Sequence, residues 1–554
     1  MAAHVSTIAP ISWTPSTHWE GNDGSWNTFV VRAGTPPQEF RILPSTSGQE
    51  LWLPDPSACA IISPSNPGYC GSVRGVLPYN GTNSPGFNKN ASTSWDPVGL
   101  FTLTAIESRL GYFGNGDYGL DTVTWGNDTN SPKLTSQVVA STATLQWWMG
   151  LAGLGPKAIN FTTYNDPTDS YLSRLAGVGA IDGLSWGYTA GAHYRANTPA
   201  SLTLGGFDEA RYVSPGMSFP MYADDSRSLS IGTVQMAASN TLKGDVNLYT
   251  ASSRDLFLID SAVPHIWVPE GDIPKWVDAF GLTYDNATEL FLVSDATRSR
   301  LQTLNPTVTF TFKNNVIQAP GPTMNITLPY AAFDLQASYP YYTNATNYFP
   351  IRRAANSTQY VLGRTFLQEA YLIADYNRQN FTVAPARSPD NTTDPRLIPI
   401  RKPVASSSLS APIATIGGLS SAATGGLIAG LAILALLAAA LAAILLSRWR
   451  KRRRAQARTS ETAGVLPRAE LPCDGPTFCE APSDHASHEK DSTLARPEFY
   501  SKPSASDRSS DVFEMPAAPV GHETGLMAEV PGSEGVRPEL EDRRKFSFER
   551  DRRD

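Results

Sequence analysis

Charged residues are scarce in this sequence, at 17% of its 554 residues, whereas glycine and proline are frequent at 43 each. So little charge among so many turn-forming residues disfavours long helices and favours short strands joined by turns. The formal net charge is −7, which argues against nucleic acid as a partner. No group of histidines has metal-ligand spacing. We therefore expect no metal and no cofactor.

Cysteine is also scarce, and the four present fall into two pairs. Cys59 and Cys70 lie in a turn-rich stretch near the front, and a disulfide between them is expected if that region is exported. Two free thiols are the alternative. The second pair, Cys473 and Cys479, has no common zinc-finger spacing with the nearby histidines, so an unstructured tail is expected there.

One long segment has no charge at all. Leu427 to Leu446 is a run of twenty apolar residues, which at about 1.5 Å per residue spans about 30 Å, the thickness of a bilayer's hydrocarbon core. We therefore predict a transmembrane helix at 425–447. A basic cluster follows at 448–458, and the positive-inside rule places that end in the cytoplasm. The same cluster is a possible contact for anionic lipid.

The part before this helix is expected to lie outside the cytoplasm, in a plasma or secretory-pathway membrane protein. It contains ten N-x-[ST] sequons, which are typical of a glycoprotein. Their asparagines are Asn80, Asn90, Asn127, Asn160, Asn286, Asn325, Asn344, Asn356, Asn380 and Asn391. Residues 1–24 lack the apolar run of a signal peptide, so a longer natural start is expected.

The segment that joins this outer part to the membrane, 388–424, is rich in Pro, Ser and Ala and is expected to be an extended stalk. The tail, 448–554, is polar and nearly free of aromatic clusters, which predicts disorder.

An internal duplication organises residues 25–387. Ser45–Pro54 aligns without gaps on Asp260–Pro269, and each segment follows an apolar, strand-like stretch. Gly153 follows Ser45 by 108 residues, and Gly363 follows Asp260 by 103. Two matched pairs at similar spacing predict two lobes of similar topology, 25–205 and 206–387.

Within these lobes most of the chain reads as short strands, one of them at 102–106. Small helices are expected at 272–280 and 365–370. The fold class is therefore all-β with small helices.

Several segments, in order, resemble the pepsin-like (A1) aspartic peptidases. They are the opening strand and G-T-P-x-Q turn at Trp26–Gln38, the segment Leu51–Pro54 with the small loop between Cys59 and Cys70, the strand after the flap at Tyr118–Val123, the inter-lobe strand at Ser201–Asp208 and the C-terminal block at Tyr360–Pro385. The resemblance implies a bilobed pepsin-like acid-protease fold. One transmembrane helix and a disordered cytoplasmic tail complete the predicted chain.

In that family two carboxylates, each from a D-[TS]-G motif, share one proton because two like charges so close cannot both ionise. The second motif reads Asp260-Ser261-Ala262 here, and the first reads Ser45-Thr46-Ser47. The bracing hydroxyls survive at Thr46 and Ser261, but Ser45 replaces the first carboxylate and both glycines are missing. Asp260 is thus expected to be the remaining acid of the pair, either catalytic in a residual way or kept for loop geometry.

Three other acids lie near the first motif in sequence. Glu20 precedes the first strand, Asp23 is in a turn and Glu50 points along the outgoing segment, so none is a strong replacement for the missing carboxylate.

The family resemblance also implies a flap tyrosine leaning on a tryptophan. Tyr112 is preferred over Tyr118 because it precedes a Gly114-Asn115-Gly116 turn, and Trp52 matches the tryptophan. Ordinary packing is the alternative for both side chains.

Two functions follow from these residues. The first is a membrane-anchored pseudoprotease that binds extended peptides, or senses them, at the cell surface. The second is an active surface-anchored aspartic-type endopeptidase with an unconventional pair of catalytic groups. The missing carboxylate favours the first, and fold alone does not fix function.

Overall fold

The computed structural model describes residues 8–103, 106–126, 131–161, 166–251, 255–314, 321–388 and 394–403. Strands dominate these residues, which confirms the predicted mostly β fold. The strands are β1 Ile11–Trp13, β2 Pro15–Glu20, β3 Trp26–Ala33, β4 Gln38–Ser45, β5 Leu51–Pro54, β6 Asp96–Thr102, β7 Asn115–Trp125, β8 Lys133–Thr142, β9 Gly150–Gly153, β10 Ser185–Thr189, β11 Ser201–Leu204, β12 Gly206–Asp208, β13 Met217–Pro220, β14 Ser230–Thr241, β15 Gly244–Thr250, β16 Leu256–Ile259, β17 Ile266–Pro269, β18 Thr283–Asp285, β19 Leu290–Leu292, β20 Thr307–Lys313, β21 Thr323–Pro329, β22 Leu335–Ala337, β23 Thr346–Phe349, β24 Ile351–Ala354, β25 Val361–Leu362, β26 Ala370–Asp375, β27 Asn380–Pro385 and β28 Leu397–Pro399.

The helices are short. The α-helices are α1 Pro56–Ile62, α2 Pro67–Val73, α3 Tyr171–Gly177, α4 Ile273–Phe280, α5 Asp295–Leu304 and α6 Arg364–Leu367. Single 3-10 turns lie at Lys89–Ala91, Ile106–Leu110, Glu209–Arg211, Asp225–Arg227, Glu270–Asp272, Tyr330–Ala332 and Ser357–Gln359.

A six-stranded sheet joins the two halves of the chain, in the order β1-β11-β10-β26-β27-β13. Its first three strands come from before residue 206 and its last three from after it. The join is made by β10 and β26, in which Trp186 pairs with Ala374 and Tyr188 with Leu372. Both strands are fully buried, so this sheet is the common floor of the molecule.

Each half adds a larger sheet, and the same arrangement recurs in both. In the first half β4 runs parallel to β9, and β5 lies between β9 and β8. In the second half β16 runs parallel to β25, and β17 lies between β25 and β24. The repeated sequence segments therefore form equivalent pieces of two similar sheets.

The recurring glycines have a steric cause. A Cβ at Gly153 would collide with the backbone of Gly48 and Gln49, and one at Gly363 would collide with the backbone of Val263 and His265. Each glycine lets a strand end pass directly beneath the loop that carries Ser45 or Asp260. This close approach explains why both positions recur in the sequence.

Two local expectations differ from the structure. The strand expected at 102–106 is wrong, because β6 ends at Thr102 and residues 106–110 form a 3-10 turn. The helix expected at 365–370 is shorter, since α6 ends at Leu367 and Ala370 already begins β26. The helix expected at 272–280 is confirmed as α4.

The loop after β5 contains the predicted disulfide. Cys59 in α1 and Cys70 in α2 are bonded, with their Cα atoms 5.5 Å apart, which confirms the pairing. Both helices begin at a proline and are capped by a side chain, that of Asp55 for α1 and that of Asn66 for α2.

The chain after β27 returns to the domain. β28 lies in the predicted stalk but pairs with β12, and the Arg396 amide donates to Asp208 Oδ1 at 2.8 Å. None of the helices in the described ranges is long and apolar enough to cross a bilayer. The predicted transmembrane segment 425–447 and the tail 448–554 lie outside the described residues.

Candidate active site

The two loops that follow β4 and β16 meet at the centre of the cleft between the two halves. The Thr46 amide donates to Ser261 Oγ at 3.0 Å, and the Ser261 amide donates to Thr46 Oγ1 at 3.0 Å. Each hydroxyl also donates across the join, Thr46 to the Ile259 carbonyl at 3.1 Å and Ser261 to the Pro44 carbonyl at 2.7 Å. This reciprocal set brings the two predicted motifs together.

Ser45 and Asp260 occupy equivalent places in these loops. The Gly48 amide donates to Ser45 Oγ, and the Ala262 amide donates to Asp260 Oδ1, both at 2.9 Å. Both side chains are buried, Asp260 completely. The donor amide lies three residues after Ser45 but two residues after Asp260, so the two side chains are held by similar but not equivalent hydrogen bonds.

A carboxyl that sequence reasoning missed completes the site. Glu107 lies in the 3-10 turn at 106–110, between β6 and β7, and is 3% exposed. Its carboxyl interacts electrostatically with that of Asp260, whose Oδ2 atom has no hydrogen-bond partner among the described residues. The acid nearest in this sense comes from the flap, which is β6, β7 and residues 106–114 between them.

Burial controls the protonation of this pair. Burial raises the pKa of Glu107 well above its ordinary value, and the neighbouring negative charge of Asp260 raises it further. Burial also raises the pKa of Asp260, while hydrogen bonds from Glu107, the Ala262 amide and Ser47 oppose that rise. Burial of two neighbouring carboxyls therefore disfavours ionisation of both at once.

Contacts of the flap with the second half accompany this pair. Tyr112 Oη lies 3.3 Å from His265 Nδ1, and Gln359 Nε2 donates to the Arg109 carbonyl at 2.6 Å. Burial lowers the pKa of His265 well below its ordinary value, and the charges of Arg352 and Arg364 lower it further. The imidazole is therefore uncharged.

The three acids considered from sequence each have partners away from the Asp260 carboxylate. Glu20 forms an ion pair with Arg41 at 2.8 Å, and Asp23 forms one with Arg364 at 3.0 Å. Glu50 accepts from both Trp52 Nε1 and Tyr118 Oη at 2.9 Å.

The two predicted aromatic residues, Tyr112 of the flap and Trp52 of β5, are connected through a third ring. Tyr112 is 7% exposed, and its ring contacts Trp147 at 5.2 Å between centroids. Trp147 in turn contacts Trp52 at 5.2 Å. Trp147 was not identified from sequence, and it stands between the two residues that were.

One sequence signal could have identified Glu107. It is the only acid between Asp96 and Asp117, in the segment that connects β6 to β7. A lone acid in a cleft-covering segment is informative when the expected carboxylate is missing.

A cavity of about 570 Å³ opens beside the central loops. It is lined from both halves and from the flap, and hydroxyl groups are frequent in its wall. The hydroxyl-bearing residues are Thr46, Ser47, Ser108, Tyr222, Ser226, Ser228 and Tyr376. Thr46 and Ser47 of the first loop line this cavity, whereas Ser45 and Asp260 do not.

Two similar β-sheet halves, a shared floor sheet and two braced loops at the cleft centre together define a protein of the acid-protease type. The family model for eukaryotic aspartyl proteases matches residues 28–386, and the chain belongs to that family. The relatives it resembles are distant. Secreted aspartic protease 6 and Candidapepsin-4, both of Candida albicans, are each 24% identical over 357 residues, which is 64% of this chain and 74% and 75% of the relatives.

Proposed function

We propose that the cleft binds extended peptides and does not cleave them. The observation that carries this proposal is the hydroxyl of Ser45 in the place equivalent to the Asp260 carboxylate. An aspartic-peptidase cycle needs one group that takes a proton from water and a second acid that polarises the scissile carbonyl. A serine hydroxyl neither holds nor releases a proton in the acid to neutral range, so the cycle lacks one member.

A peptide is the ligand class that the cleft favours. The cavity wall supplies hydroxyls that can donate to or accept from a peptide backbone. Similar proteins of Candida albicans are named secreted aspartic proteases, and that name implies protein substrates. A cleft that is preserved around an altered catalytic pair would bind a peptide without cleaving it.

A second candidate is an acid endopeptidase that uses Glu107 and Asp260. The electrostatic interaction between these two buried carboxyls favours it. The cavity beside the central loops, however, is lined by Ile106 and Ser108 but by neither Glu107 nor Asp260. The two carboxyls therefore do not face the space in which a peptide could lie. We therefore place this candidate second.

Cleavage and binding are measured on the same full-length protein. We expect no cleavage of acid-denatured protein above background between about pH 3 and 6, the range in which two paired carboxyls titrate. We also expect saturable binding of a transition-state-like aspartic-peptidase inhibitor. The matched control is Asp260→Asn. Cleavage that is inhibited by that compound and lost in Asp260→Asn would overturn the proposal in favour of the second candidate.

We infer further that this domain is the outer part of a single-pass glycoprotein of the secretory pathway. The disulfide supports export, as do the sequons. Of the eight sequon asparagines in the described ranges, Asn380 is half-buried and the others are exposed. In sealed outside-out vesicles, added protease should remove the domain and spare the tail, and a glycosidase should lower the mass of the domain. An unglycosylated domain protected from the protease would contradict the inference.

A further inference from the structure

We propose that the cavity beside the central loops selects peptides by a carboxylate, which Arg109 of the flap and Lys157 of the first half bind together. The inference rests on the proposed peptide binding and names the class of peptide within it. The carboxylate can belong to an acidic side chain or to the end of the peptide chain. Asp225 of the second half is the internal carboxylate that this ligand group replaces.

The first observation is the charge of the cavity wall. Arg109 and Lys157 are the two cationic residues that line it, and Asp225 is the one acid among its described lining residues. Asp224, the preceding acid, does not line the cavity, and its carboxylate accepts from the amide and the hydroxyl of Ser226 at 3.0 and 2.6 Å. The wall thus has two positive charges against one negative charge, beside hydroxyls that can also donate to an anion.

The second observation is that Arg109 is positioned by its backbone and not by its guanidinium. Gln359 Nε2 donates to the Arg109 carbonyl at 2.6 Å, and the Gly111 amide donates to the Ser108 carbonyl at 3.1 Å. The Arg109 side chain is exposed, and within the described ranges it makes one hydrogen bond, to Ser226 Oγ at 3.5 Å, and no ion pair. A guanidinium has five N–H donors, so most of them remain for a ligand in the cavity.

The third observation is that a carboxylate already binds at this wall. Lys157 Nζ lies 2.9 Å from Asp225 Oδ1, and this ion pair joins the first half to the second beside the cavity that both residues line. The two side chains are 40% and 79% exposed. Ion pairs as exposed as this one are weak. A ligand carboxylate can therefore replace Asp225 on Lys157 with little loss of free energy.

The chemistry of the two cations favours a carboxylate over an amide of the same shape. A guanidinium can donate two parallel hydrogen bonds to a carboxylate, and an ammonium adds a compact positive charge. Terminal and side-chain carboxylates are the groups of an unmodified peptide that are negative at neutral pH. An uncharged amide in the same place would leave the second positive charge of the wall without a partner. The cavity should therefore discriminate glutamate from glutamine.

Peptide binding to the full-length protein tests the inference. The probes are short uncharged peptides with an amidated end, the same peptides with one glutamine at a time replaced by glutamate, and the same peptides with a free carboxyl end. The anisotropy of an uncharged fluorophore at the amino end measures each dissociation constant near neutral pH, where the carboxylates are ionised. We expect at least one carboxylate peptide to bind about tenfold more tightly than its amide counterpart, the effect of one charge-assisted hydrogen bond. The glutamate and free-end peptides separate the two sources of the carboxylate.

Variants of the wall should change this preference in opposite directions. The preference is the ratio of the two dissociation constants within one variant, so a general loss of affinity does not enter it. Arg109→Gln and Lys157→Gln should each lower the ratio to about twofold or less, because each removes one charged donor. Asp225→Asn removes the internal competitor and should raise the ratio several-fold. Lys275→Gln is the matched control, since its exposed ion pair with Asp272 at 2.6 Å lies outside the cavity wall, and it should leave the ratio unchanged.

The results distinguish this inference from the function on which it rests. Equal binding of carboxylate and amide peptides to wild type would overturn the carboxylate site and leave the proposed peptide binding intact. A preference that survives both Arg109→Gln and Lys157→Gln, or one that falls in Asp225→Asn, would also overturn it. Binding of none of the peptides would reject the proposed function, and the carboxylate site with it.

Discussion

At the scale of single residues, the replacement at Ser45 separates two roles that a D-[TS]-G loop usually combines. Thr46 and Ser261 form hydrogen bonds across the two loops although Ser45, next to Thr46, stands where a carboxylate is expected. The brace is thus a structural device that does not depend on two carboxylates. Asp260 stays fully buried beside this brace, and burial raises its pKa.

Restoring the missing carboxylate should restore chemistry only if the loops and the flap make room for it. We predict that Ser45→Asp alone gives little activity. Adding Ser47→Gly and Ala262→Gly relaxes both loops, and adding Glu107→Ala removes a third buried carboxyl that would interact with the restored pair. The fourfold variant should cleave acid-denatured protein about 10²–10⁴-fold faster than the parent, the range that a positioned acid or base contributes.

The gain should be confined to acid pH, because a second carboxyl beside Asp260 raises one pKa of the pair. Initial rates from pH 3 to 7 measure it. The control adds Asp260→Asn to the same four changes and should return the rate to background. If the triple variant that retains Glu107 is as fast as the fourfold one, then Glu107 does not disturb the restored pair of carboxyls.

At the scale of elements, the sequence predicted best what the backbone alone dictates. The equivalent β4–β9 and β16–β25 pairs were predictable because a collision-free crossing demands glycine at Gly153 and Gly363. α4 was predictable from its amphipathic pattern and the glycine that ends it, Gly281 with φ of 64°. These signals are local, so they survive without knowledge of the tertiary structure.

The flap was predicted poorly because its conformation depends on distant residues. A strand at 102–106 fits the local pattern of apolar and β-forming residues, yet the chain leaves the sheet after Thr102. Glu107 is then buried, where its carboxyl interacts with that of Asp260, and Tyr112 reaches Trp147 and His265. No short-range pattern specifies partners that lie so far along the chain, and this is why Glu107 and Trp147 were missed.

At the scale of the whole molecule, the centre of the cleft is tied to the contact between the halves. Arg364, 3% exposed, donates to the carbonyls of Ser261 and Ala262 at 2.9 and 2.7 Å. It also pairs with Asp23 of the first half at 3.0 Å. One guanidinium thus joins the two halves and supports the backbone whose amide holds Asp260.

Arg364→Met should therefore destabilise the protein far more than loss of a surface ion pair. Methionine fills much of the volume but leaves Asp23 without its charged partner, with only the Trp26 indole still donating to it, and leaves two buried carbonyls without the guanidinium. Breaking a buried pair in this way costs about 3–5 kcal/mol. The matched control is Arg378→Met, whose ion pair with Asp375 spans 2.7 Å but whose arginine is 43% exposed. That change should cost about 0–1 kcal/mol. Urea unfolding of the full-length variants measures both free energies.

Adding Asp23→Asn to Arg364→Met should recover part of the loss, because it removes the unpaired charge. Equal costs for the two arginine variants, or no recovery in the double variant, would show that the Asp23–Arg364 pair does not join the halves.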